Sequence, residues 1–131
     1  MDEREGRGEL TMRVIAAHAF GLSVTGMADT IGTTAGFNIG GAWLGLWLGG
    51  VLSIPWMLIL GAIIWFRGRV IEDHPFLFAV LGPPLVIGSW ALLGETFIRE
   101  VAISSVSSSL FYLALFYGMR LLTAARQKRF R

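Results

Sequence analysis

The chain has no cysteine, and only 15% of its 131 residues are charged. The first absence removes disulfide frameworks, thiolate metal sites and cysteine nucleophiles together. The second sets the chain apart from water-soluble domains, in which about a quarter of residues carry charge. Histidine is scarce, with His18 and His74 only, and a single histidine within an apolar segment cannot supply two axial haem ligands. No nucleophile elbow, phosphate-binding glycine loop or H-E-x-x-H zinc helix occurs. The second histidine lies in Glu72-Asp73-His74-Pro75, where the two acids suit a helix start with proline in its first turn better than a metal. The expectation is therefore a chain that is not an enzyme, with no catalytic residues, no metal and no cofactor.

What the chain has in quantity is apolar surface: 54% of residues are hydrophobic and the mean hydropathy is +0.64. A charged side chain at the centre of a bilayer costs at least ~2.5 kcal/mol, so cutting the sequence at its charges isolates the segments able to cross one. Four result, at about 14–32, 42–66, 75–94 and 101–122. The uncharged run from Thr30 to Phe66 is too long for one helix, because ~20 residues cross the hydrocarbon. A turn is expected at 33–41, where three glycines and Asn38 collect, with a re-entrant dip of residues 30–41 as the alternative. The fold class predicted is an all-α integral membrane protein, a four-transmembrane-helix bundle. Residues 1–13 form an N-terminal segment, 14–122 the membrane domain and 123–131 a basic tail.

Direction follows from the bases. Arg4, Arg7, Arg13, Arg67, Arg69 and five C-terminal residues, Arg120, Arg126, Lys128, Arg129 and Arg131, fall on one side of a four-span chain, and only Arg99 on the other. The positive-inside rule then makes both termini cytoplasmic, in a membrane expected to be a bacterial plasma membrane. The basic tail abuts an apolar segment, so its expected partner is anionic lipid headgroups and not nucleic acid. Asp2, Glu3, Glu5 and Glu9 spoil the basic start of a signal peptide, and Gly26-Met27-Ala28 is a poor cleavage site, so the first segment is expected to be retained. Trp43, Trp47, Trp65 and Trp90 fall toward span ends, as an interfacial belt requires.

Three patterns inside the spans stand out. In the first, His18, Gly21, Thr25, Asp29, Gly32 and Gly36 recur every three or four residues and so share one helical sector. Ionisable groups at such depth are candidates for a proton, ion or ligand site, here His18, Thr25 and Asp29. The structural alternative is close packing by the glycines, capping by Asp29 and one hydrogen bond from His18. In the second span Gly41, Gly45, Gly49 and Ser53 form a small-xxx-small row that, with Gly21, makes a helix-packing interface, either within the chain or between subunits. Proline supplies the third pattern. Pro55, Pro83 and Pro84 are expected to kink the second and third spans, and they take the usual amide donor from the carbonyls of Val51, Ala79 and Val80. Five serines between 104 and 109 add small polar groups to the fourth span.

Without a soluble domain or a catalytic motif, the function expected is a small non-enzymatic integral membrane subunit that packs into and stabilises a larger complex. Its partners would then be the bilayer and other membrane subunits. The alternative is a homo-oligomeric transporter or channel that uses the polar stripe of the first helix.

Overall fold

The computed structural model describes residues 3–31, 39–94 and 97–129, with side chains described over 6–28, 39–94 and 97–122. The described residues are helical almost throughout. Helix α1 spans Glu3–Ile31; α2 spans Ile39–Leu44 and runs through a π-helical turn, Gly45–Gly49, into α3, Gly50–Asp73; α4 spans Pro75–Leu93 and α5 spans Ile98–Arg129. Four helical stretches are long and apolar enough to cross a membrane: Gly6–Ala28, Ile39–Asp73, Pro75–Leu93 and Ile98–Leu122.

The helices end where backbone chemistry ends them. His74 leaves the helical region at φ −128°, ψ 55°, and Pro75 takes the first position of α4, where its missing N–H costs nothing. At the other end of α4, Gly94 adopts φ +144°, a conformation open to glycine and closed to most side chains. Phe97, at φ 68°, then turns the chain into α5.

Two spans run further than cutting at charges predicts. Helix α1 runs through Arg7, Glu9 and Arg13 and does not begin at Val14, because the Arg13 guanidinium pairs with the Glu9 carboxylate one turn earlier and leaves Leu10 between them free to bury. Leu10 is 1% exposed. The second stretch is longer at both ends: Gly40 and Gly41, assigned from sequence to the turn, are helical, and the helix continues past Phe66 to Asp73. At ~1.5 Å per residue those 35 residues would span about 50 Å if straight. Arg67, at φ −131°, ψ 20°, breaks the line near the end. Ile39 is helical as well, and residues 33–38 of the predicted turn, on which the alternative of a re-entrant dip also rests, lie outside the described residues.

Helix α1 is the inner element. It packs along α5 on one side and along α2, the π-helical turn and α3 on the other, while α4 packs on α5 and has little contact with α3. The resulting order is α3, α1, α5, α4. Packing differs between the two ends. Toward the N-terminus of α1, side chains interlock: Leu10, Val14 and Ala17 of α1, Ile64 and Ile71 of α3, Ala79 of α4 and Tyr112 of α5 form one buried cluster. Phe78 meets the Tyr112 ring edge-on at 5.7 Å. The same end gathers the bases, since Arg7 lies over Trp65 and both Arg13 and Arg120 lie over Phe116.

Toward the C-terminus of α1 the contact is between backbones. A Cβ added to Gly26 would run into the Gly41 carbonyl and stand 2.9 Å from the Gly45 Cα. A Cβ on Gly45 would run into the Leu22 carbonyl, and one on Gly49 would come 2.5 Å from a Leu22 methyl. On the opposite flank, a Cβ on Gly21 would strike Ser104 and Ser108 of α5. Contacts of this kind are available only to residues without side chains, and in hydrocarbon they supply the dispersion energy that the hydrophobic effect does not.

Gly26→Ala should therefore destabilise the chain by about 1–3 kcal/mol through forced separation of backbones. Gly61→Ala, whose Cβ meets nothing within 4 Å, should be neutral or stabilising by up to about 1 kcal/mol. Unfolding of both variants in mixed micelles, followed by circular dichroism, measures the contrast.

Candidate functional site

The polar stripe predicted on the first span divides between two neighbours. Counting 100° per residue, His18, Leu22 and Gly26 drift slowly around α1 and face the α2 to α3 stretch, while Gly21 and Thr25 sit on average roughly 80° to the side and face α5. Thr25 is buried, and its hydroxyl donates to the Gly21 carbonyl at 2.9 Å, with the Glu100 carbonyl of α5 at 3.5 Å. Its two acceptors are thus backbone groups of the α1–α5 seam. Asp29 lies outside the residues whose side chains are described, and Gly32 and Gly36 lie outside the described residues.

His18 makes the one described hydrogen bond between side chains of two helices. Its Nε2 is 2.7 Å from the Ser53 hydroxyl, and that hydroxyl lies 3.0 Å from the Gly50 carbonyl. A hydroxyl has one proton to give. With that proton directed to Gly50, Ser53 accepts from His18, so Nε2 carries the imidazole proton and Nδ1 holds the lone pair. No described residue bonds Nδ1. The chain His18 to Ser53 to Gly50 ends one residue beyond the π-helical turn, a feature that recurs at functional sites because its wider ring leaves carbonyls off the regular ladder. Pro55, two residues after Ser53, withholds a further donor from the Val51 carbonyl.

Four consecutive small residues of the predicted row have distinct neighbours. Gly41 and Gly45 meet Gly26, Gly49 meets Leu22, and Ser53 meets His18. Gly21 packs against α5 and not against this row. The serines of α5 bond mainly into their own helix: Ser108 to the Ser104 carbonyl at 2.7 Å and Ser105 to the Ala102 carbonyl at 3.2 Å. Their small size is what the neighbouring Gly21 requires. Of the predicted kinks, Pro83 is buried and Pro55 and Pro84 are exposed.

Gly26 was not among the predicted interface residues, although it lies at an i, i+4 step from Leu22 and an i, i+8 step from His18. Also absent was a cluster at the basic end, where the Tyr112 hydroxyl and Arg13 Nε are both buried without a partner. Hydropathy marks Tyr112 as one aromatic of many. Its burial follows from the Ala79 and Ala17 positions that make room for the ring.

The His18–Ser53 bond is worth about 0.6 kcal/mol by the average for such pairs in membrane helices, and at most about 1.7. A double-mutant cycle of His18→Ala and Ser53→Ala should return a coupling in that range, with the two single variants non-additive. Comparison of the chain with protein-family models, with curated proteins and with solved structures finds no match to any of them, so the site rests on its own geometry.

Proposed function

We propose that the protein is a small, non-enzymatic integral membrane subunit that packs into and stabilises a larger complex of a bacterial plasma membrane, with both termini cytoplasmic. The gathering of Arg7, Arg13, Arg67, Arg69 and Arg120 at one end, with Arg99 at the start of α5, supports that orientation through the positive-inside rule.

The observation that carries the partner is the pair of outward prolines. Pro55 and Pro84 are both exposed, and the carbonyls that lose their donors belong to Val51 and Val80, 61% and 48% exposed. Lipid tails offer nothing to such a carbonyl, and an unsatisfied one in hydrocarbon costs several kcal/mol. A neighbouring helix does offer donors. Helices α3 and α4 also have little contact with each other. Both therefore present their prolines on faces open to another subunit.

A second reading, a homo-oligomeric transporter or channel, is favoured by one observation, the unbonded Nδ1 of His18 beside the π-helical turn. There His18 would take up a proton or cation as the helices move.

The two readings separate by mass. Native mass spectrometry of the protein, extracted with mild detergent from its own membrane, should show unrelated chains in fixed stoichiometry. A pure homo-oligomer would contradict the subunit reading and favour the second, in which His18→Ala abolishes a flux and leaves assembly intact.

A further inference from the structure

At the kink in α3 a depression of about 220 Å³ opens between α1 and α3, lined by Arg7, Phe66, Arg67, Gly68, Arg69 and Val70. Three of its six lining residues are arginines, drawn from two helices. The local backbone produces this. Two arginines two residues apart on a regular helix lie ~200° apart and point to opposite faces. The non-helical φ, ψ of Arg67 interrupts that spacing, and Arg67 and Arg69 line the same hollow. Gly68 between them is buried, and a Cβ there would stand 3.7 Å from Cγ of Arg7 and 3.7 Å from a methyl of Leu10. With only hydrogen at that position, the stem of Arg7 lies across α3, and its guanidinium carbon sits 5.8 Å from the centre of the Trp65 ring. Arg67 itself is exposed and enters no described ion pair.

We infer that this hollow is a binding site for a phosphoryl group. Guanidinium groups bind phosphate oxygens through paired N–H donors, and three arginines line this hollow, of which Arg67 is exposed. Position points the same way. Trp65 and Phe66 flank the site and are 67% and 80% exposed, as aromatic residues are at the interface where lipid phosphates lie. The phosphoryl group can belong to an anionic phospholipid headgroup or to a soluble phosphate compound. The lipid source rests on the membrane reading above; the soluble source does not.

The test uses the full chain in nanodiscs of phosphatidylcholine alone or with one fifth phosphatidylglycerol, and in detergent with inorganic phosphate. Lipid retained in native mass spectra and the shift in thermal midpoint are the readouts. Loss of one charge-assisted contact corresponds to roughly tenfold in affinity or more, so Arg67→Gln/Arg69→Gln should lose at least that factor. Removing the same charge from the tail, with Arg126→Gln/Lys128→Gln, should leave binding within about twofold, since a built site does not depend on distant charge. Should the double variant fail to fold, Arg67→Gln alone serves, at a position whose side chain packs on nothing described. Arg67→Lys keeps the charge and loses the paired donors, and should fall between Arg67→Gln and the parent. Preferential retention of phosphatidylglycerol without a response to inorganic phosphate identifies the lipid source. A midpoint shift with inorganic phosphate identifies the soluble one. Equal losses in the tail and site variants, or parental binding by both Arg67 variants, would overturn the site. Failure of the chain to enter nanodiscs would instead remove the membrane reading and leave the phosphate arm to decide.

Discussion

The structure depends on how closely α1 is approached from both sides at once. Gly26 admits the backbone of Gly41 and Gly45 on one flank, and Gly21 admits Ser104 and Ser108 on the other. A single methyl at either place would separate two helices. Everything else follows from that approach: α1 becomes the inner helix, α3 and α5 are held to its two sides, and α4 is attached through α5. His18 and Ser53 come within hydrogen-bond distance because the glycine row one and two turns away has drawn their helices together.

The opposite end is built on another principle. There the helices stand far enough apart to hold Leu10, Ile64, Ile71 and Tyr112, and side-chain volume replaces backbone contact. Arg7, Arg13 and Arg120 lie over aromatic rings at this end. The kink at Arg67 belongs to this end. It bends the longest helical stretch where its charges begin.

Much of this was legible in the sequence, because charge and proline mark helix limits physically. Pro75 begins α4 as its fixed φ requires, and the uncharged runs became helices. One limit was misread because charges there cancel. Glu9 and Arg13 looked like the edge of a span but pair with each other, and Leu10 between them became the most deeply buried side chain. The Gly41 to Ser53 row was visible as a period of four, with the first helix or a second subunit as its partner, yet the residue it meets was not, since Gly26 falls outside the polar stripe centred on His18 and Thr25. His18 and Ser53 each drew notice for separate reasons. Their pairing spans 35 positions, and no local period records it. The π-helical turn has no signal beyond two glycines four residues apart.

The central claim is that the glycine row of the second stretch packs within the chain against α1 and not against another copy. A chain without cysteine allows a direct test by oxidative cross-linking of Leu22→Cys with Gly49→Cys, positions at which a Cβ added to Gly49 would stand 2.5 Å from a methyl of Leu22. The account predicts a disulfide within one chain, seen as faster migration at monomer mass on a non-reducing gel. A dimer-sized product, or no cross-link in a folded variant, would contradict it.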